Sequence, residues 1–130
     1  MTGANGFVGK FTVRKLIQNC LNGSIGDDAG FQYVEYDQII AVDMQNPEVI
    51  AQSFNNCHFV LPLQLDLTKL ADSTSSEYEA MKTLLNNSNK SQIAVKCVIH
   101  IAGVVDTREN IDVKSKIDVI NTDATIALAT

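Results

Sequence analysis

The sequence predicts an α/β fold, a parallel sheet with helices packed on both faces. Three observations carry that reading. A glycine-rich turn, "TGANGFVG", opens directly into an amphipathic segment. Three short apolar runs, "QIIAVDM", "HFVLPLQLDLT" and "AVKCVIHIAG", are spread along the chain. Segments with helical periodicity separate them, so the order is loop, helix, strand, helix, strand, helix, strand, helix.

Each element has its own justification. From Gly6 to Leu21, Val13, Leu16, Ile17, Cys20 and Leu21 recur at helical spacing among Lys10, Arg14, Lys15 and Gln18. Asn22-Gly23 supplies residues that tolerate a left-handed C-cap. Asn22 to Asp37 carries the Gly, Asp and Ser signals of a loop. "QIIAVDM" reads as a buried strand ending in Asp43. Pro47 and Glu48 suit a first helical turn, which predicts a short helix from Pro47 to about Phe54. His58 to Leu65 reads as a strand, and Pro62 assigns it to a sheet edge. A helix is expected from about Ser76 to Leu85. "AVKCVIHIAG" is the strongest strand signal, since Val95, Cys97, Val98, Ile99 and Ile101 form a near-continuous apolar run. A last helix is expected from about Asn110 to the end, with Val113, Ile117, Ile120, Ala124, Ala127 and Leu128 on one stripe. The 130 residues read as one domain, 1–130.

Composition excludes several classes. A net charge of −5 leaves no basic footprint for nucleic acid. No apolar run reaches the roughly 18 residues that a membrane span requires, and no secretory signal is visible. The three cysteines, Cys20, Cys57 and Cys97, lie far apart without a C-x-x-C pair, so they read as plain thiols and no metal site is expected.

The glycine turn is the feature with chemistry. A Walker A loop would need a glycine at Ala4 and a Ser or Thr at Phe11, so that pattern fails twice. The arrangement T-G-x-x-G-x-x-G fits a dinucleotide turn. Gly3 turns the chain sharply, Gly6 lets backbone approach a pyrophosphate, and Gly9 permits close helix packing. The free N–H groups of the first helical turn, with the helix dipole behind them, suit phosphates. A glycine-rich loop that merely caps a helix is the alternative.

Other positions bear on the choice. Asp43 ends the next strand, where a carboxylate accepts from both ribose hydroxyls of an adenosine and repels a 2′-phosphate. That favours NAD over NADP. The interval of 34 positions from Gly9 to Asp43 exceeds the usual figure of about 20, and the Asn22–Asp37 loop absorbs the excess. A turn role for Asp43 stays open. Asp66 with Leu67 closes the strand His58–Leu65, near where adenine would lie, or else Asp66 caps a helix. Ala102 and Gly103 are small enough for backbone to lie against a cofactor, or they form an ordinary strand-to-loop exit.

Together "TGANGFVG", "VDMQNPEV", "LDLT", "VIHIAGVVD" and "INTDAT" resemble the extended short-chain dehydrogenase/reductases, specifically the 3β-hydroxysteroid dehydrogenase/isomerase branch. The resemblance spans essentially the whole chain and covers the first half of that family's cofactor domain. It implies a Rossmann-like fold that binds NAD and an intact parent that oxidises a secondary alcohol of a steroid- or sterol-like substrate. It implies cofactor contacts at Gly3, Asn5, Gly6, Phe7, Val8, Gly9, Asp43, Asp66, Leu67, Ala102, Gly103 and Val104. Asn121 matches the asparagine of an N-V-x-G-T pattern, although this chain reads N-T-D-A-T. His100 matches a strand-end histidine with a packing role, and His58 has no counterpart. A related extended reductase, a nucleotide-sugar epimerase, a non-catalytic dinucleotide sensor or an inert fragment are the other readings.

Two departures from the family shape the expectation further. Its Tyr-x-x-x-Lys pair falls beyond Thr130. Tyr78 and Lys82 reproduce the spacing on the wrong element, so no catalytic residue is assigned. Only Met1 and Thr2 precede the turn where the family has a central strand. Each orphaned buried backbone group costs about 1–3 kcal/mol, against a domain margin of about 5–15 kcal/mol. The sequence therefore reads as an inactive fragment, incomplete in its first strand and catalytic half. The parent is expected in the cytoplasm, or associated with the endoplasmic reticulum.

Overall fold

The computed structural model describes residues 1–22, 36–86, 95, 97–103 and 117–129. These form an α/β structure with four α-helices and a two-stranded parallel sheet. The chain divides into two compact units, Met1–Gln64 with Lys96–Ile101, and Leu65–Val95 with Ala102–Thr130. Among the described residues no helix is long and apolar enough to cross a membrane.

In the first unit, helix α1 runs Phe7–Asn22, strand β1 Ile39–Asp43, helix α2 Pro47–Ser53 and strand β2 Val60–Gln64. Strands β1 and β2 pair in parallel, with Ile39 opposite Val60 and Asp43 opposite Gln64. A parallel pair needs a crossover, and α2 provides it. Its start is fixed by Asn46, whose side chain accepts from the Glu48 N–H at 2.8 Å, and by Pro47 in the first turn. Its end is fixed by Asn55 and Asn56, both at positive φ (55° and 51°). That backbone region is costly for most residues and tolerated by asparagine. The core gathers Ala4, Val13, Ile39, Ala41, Ile50, Phe54 and Val60, with Leu16, Ile17, Tyr36 and Cys57 packed against it. Pro62 sits in β2, which pairs only with β1 among the described residues, as an edge strand should.

Met1 and Thr2 extend this pairing. Thr2 bridges Val42 on one side and His100 on the other, both in parallel. The Thr2 N–H donates to the Ile99 carbonyl at 3.0 Å, and the Ile101 N–H donates to the Thr2 carbonyl at 3.3 Å. On the β1 side, the Val42 N–H donates to Met1 O at 2.8 Å and the Ala4 N–H to Val42 O at 3.1 Å. Thr2 is accordingly buried, and its hydroxyl shares a hydrogen bond with Nδ1 of His100.

The segment expected to be the strongest strand differs. Within Cys97–Gly103 only the bridge at His100 forms, and Cys97 and Val98 are exposed. The run has strand chemistry, but its described pairing is with Thr2 alone. A ladder one residue long does not organise both faces of an apolar strand.

In the second unit, Asp66 caps a 3₁₀ turn at Leu67–Lys69, and helix α3 runs Ser76–Asn86. The Tyr78 N–H donates to Ser75 Oγ at 3.0 Å at the start of α3. Lys69 pairs with Glu77 at 2.9 Å. A π-helical turn at Val119–Asp123 leads into helix α4, Ala124–Ala129. Leu65, Leu67, Leu70, Met81 and Ala124 are its buried apolar residues. The first part of the expected last helix, residues 110–116, lies outside the described residues, as does most of the loop between α1 and β1.

Candidate functional site

The glycine turn connects Thr2 to α1, and its backbone explains its composition. Gly3 has φ 67°, which a residue with a side chain rarely adopts. The Gly6 N–H donates back to the Gly3 carbonyl at 3.2 Å, closing the turn. Gly9, already within the helix, lies over the turn. A Cβ added there would fall on the Gly3 carbonyl oxygen and within 2.8 Å of the Ala4 carbonyl oxygen. A Cβ at Gly6 would meet the Gly3 oxygen at 3.4 Å, an ordinary contact. The glycines at 3 and 9 are thus demanded by the fold itself. Gly6 is exposed and sterically free, so its lack of a side chain leaves the mouth of α1 open.

That mouth has a defined electrostatic character. The first N–H groups of an α-helix have no intrahelical acceptor. α1 has sixteen residues and no acidic side chain in its first turn, so the helix itself supplies no counter-charge to the positive end of its dipole. Phe7 and Val8 stand exposed beside it, Phe7 at 96%.

Asp43 is drawn to the same place. At the carboxyl end of β1, its Oδ2 accepts from the Asn5 backbone N–H at 2.9 Å, and its Oδ1 accepts from the Gln45 N–H at 3.3 Å. The acidic strand end and the glycine turn, 38 positions apart, are joined directly. The Asn5 side-chain amide donates to Gln45 Oε1, and Gln64 Nε2 donates to the Met44 carbonyl at 3.1 Å. Asn5 is 8% exposed, and its Oδ1 is a buried acceptor without a hydrogen-bond partner. Gln45 was not singled out in the sequence. Its signal was its place two residues beyond Asp43, which lets it bridge back to the turn.

The remaining expected site residues belong to the second unit or lie outside the described residues. Asp66 uses Oδ1 to accept from both the N–H (3.0 Å) and the hydroxyl (2.7 Å) of Thr68, the capping role held open for it. Leu67 is buried, Ala102 half-buried and Gly103 exposed. Val104 lies outside the described residues. Asn121 is exposed in the π-helical turn, where its carbonyl accepts from the Thr125 hydroxyl at 2.8 Å. Burial holds the His100 imidazole below its ordinary pKa. On α3, Lys82 pairs with Glu79 at 3.4 Å and stands 5.8 Å over the Tyr78 ring. His58 stacks on Phe59 with ring centroids 4.0 Å apart.

The arrangement suits an anionic, sugar-bearing ligand. It offers helix N–H donors and an open glycine, with a carboxylate acceptor beside them. Among the described residues no cluster of His, Cys, Asp and Glu fit to hold a metal ion occurs. No family model, curated protein or solved structure matches the chain.

Proposed function

We propose that the first unit is the diphosphate- and ribose-binding part of an NAD-binding, Rossmann-like domain. The chain would then be the leading portion of an extended short-chain dehydrogenase of the 3β-hydroxysteroid type. The observation that carries this reading is the hydrogen bond from the Asn5 N–H to the Asp43 carboxylate. It brings together the two features that such a ligand needs, an anion-binding helix start and an acceptor for neighbouring sugar hydroxyls.

On this reading each group has a role. Amides at the start of α1 receive the diphosphate, and the missing side chain at Gly6 admits it to contact distance. Asp43, held by Asn5 and Gln45, keeps lone pairs free, since a carboxylate has about four acceptor sites. Those sites take the ribose hydroxyls and repel a phosphate in their place, which selects NAD. When bound, NAD supplies hydride acceptance from a secondary alcohol on a steroid- or sterol-like ring. This chain's own residues bind and orient it.

Calorimetric titration of the chain with NAD and with NADP tests the proposal. Binding of NAD, weaker binding of NADP, and loss of that preference in Asp43→Asn support it. Equal affinity for both cofactors, or heat with neither, refutes it.

A further inference from the structure

We propose that Cys20 and Cys57 form a redox-responsive thiol pair that closes into a disulfide, stapling the C-terminal end of α1 to the turn that leads into β2. No role in cofactor binding is required of either residue.

The placement comes from three elements converging at one end of the first unit. Cys20 lies on the last turns of α1, and its Sγ donates to the Tyr36 carbonyl at 3.7 Å. The Tyr36 hydroxyl donates to the Leu16 carbonyl at 3.0 Å, which ties the lead-in to β1 to the C-terminal half of the same helix. Tyr36 and Cys57 pack against one core cluster, together with Leu16 and Ile17 of α1. Cys57 precedes β2 as Tyr36 precedes β1, and its carbonyl accepts from the Val60 N–H at 3.0 Å. Because β1 and β2 run parallel and Ile39 faces Val60, these lead-ins flank the same end of the sheet. Burial raises the Cys20 pKa, the hydrogen bond with Tyr36 opposes that, and a charge on Cys57 would raise it again. Through Tyr36, Cys20 therefore adjoins the core cluster on which Cys57 packs. Both are half-buried, whereas Cys97 is exposed.

The oxidant is a low-molecular-weight disulfide such as oxidised glutathione. One protein thiolate attacks it, forming a mixed disulfide and releasing one glutathione thiolate. The second protein thiolate attacks the cysteine sulfur of that mixed disulfide and releases the other. Two thiol protons are lost to solvent or to the leaving thiolates, and two electrons pass to the oxidant. The raised Cys20 pKa makes the reaction faster as pH rises.

The experiment oxidises the full chain with oxidised glutathione, in buffer and in urea, and maps linkages by mass spectrometry without reduction. In urea the Cys20–Cys57 and Cys57–Cys97 bridges close loops of similar length and should form in similar amounts. In buffer, Cys20–Cys57 should exceed Cys57–Cys97 by about tenfold or more, because the Tyr36 contact brings Cys20 to the cluster on which Cys57 packs, which raises that pair's effective concentration, whereas Cys97 is exposed. The Cys97→Ser variant, changed at an exposed site, should form the bridge unaltered. A native linkage pattern equal to that in urea overturns the proposal. So do stable mixed disulfides on Cys20 and Cys57 without a bridge, or no reaction at either.

Discussion

The backbone N–H of Asn5 and the carboxylate of Asp43 meet at 2.9 Å, which fixes the end of β1 against the glycine turn. Asn5 is buried. Asp43→Ala therefore strands a backbone donor as well as removing a ligand group. The expected loss is about 1–3 kcal/mol of stability, measured by urea unfolding. Asp43→Asn keeps an acceptor oxygen, so it should lose less stability while still losing the preference for NAD over NADP. Equal destabilisation by the two changes would show that the charge, not the hydrogen bond, holds the turn.

Gly6 and Gly9 should separate binding from folding. Gly9→Ala places a Cβ on the Gly3 carbonyl, and relief requires the turn to move off the helix. A cost of about 3 kcal/mol is expected, near the upper end for overpacking. Gly6→Ala meets only an ordinary contact at 3.4 Å and should unfold near the parent's midpoint. It should nevertheless weaken NAD binding about tenfold or more, because its methyl group would occupy the proposed path of the diphosphate. A Gly6→Ala protein that binds as well as the parent would remove the phosphate role from this turn.

Asn55 and Asn56 end α2 in the left-handed region. Asn56→Ala should cost about 1 kcal/mol, the penalty of a Cβ in that conformation. Asn56→Gly should stay within about 0.5 kcal/mol of the parent, because glycine adopts it freely. Denaturation midpoints check both, and an Asn56→Ala protein as stable as the glycine variant would contradict the backbone assignment.

His100 gives a pH signature. Its pKa in the fold is lowered by burial, so the unfolded chain binds the proton more readily. The contribution is full above the unfolded pKa of about 6.5. It falls as pH drops from there through the lower folded value. An NMR titration of the imidazole should show a midpoint below that of the urea-unfolded chain, and a midpoint at or above it would contradict the burial. Stability should decline with acid across the same interval.

Much of this was legible in the sequence, because local signals and packing agree. The periodicity of Val13, Leu16 and Ile17 marks α1, and Pro47-Glu48 marks the start of α2. Pro62 marks an edge strand, and the glycine spacing marks the turn. The behaviour of Cys97–Ile101 was not legible. Apolar runs report strand propensity, while a strand is made by its neighbours, and Thr2 is its single described partner. Gln45 and its bridge to Asn5 also escaped, since a lone polar residue on a strand exit carries no periodic signal. The left-handed asparagines were hidden for a similar reason. The end of α2 was legible to within a residue, about Phe54 against Ser53, but "SFNN" does not say that both asparagines turn left-handed.

The most direct test of the proposed nucleotide site is amide chemical-shift mapping of the labelled chain as NAD is added. The amides of Gly6, Phe7, Val8 and Gly9 should move together, along with those of Asn5 and Gln45 beside Asp43, and saturate on one isotherm. Unchanged amides at the start of α1 while others shift, or no shift anywhere at millimolar NAD, would contradict the diphosphate role of this helix.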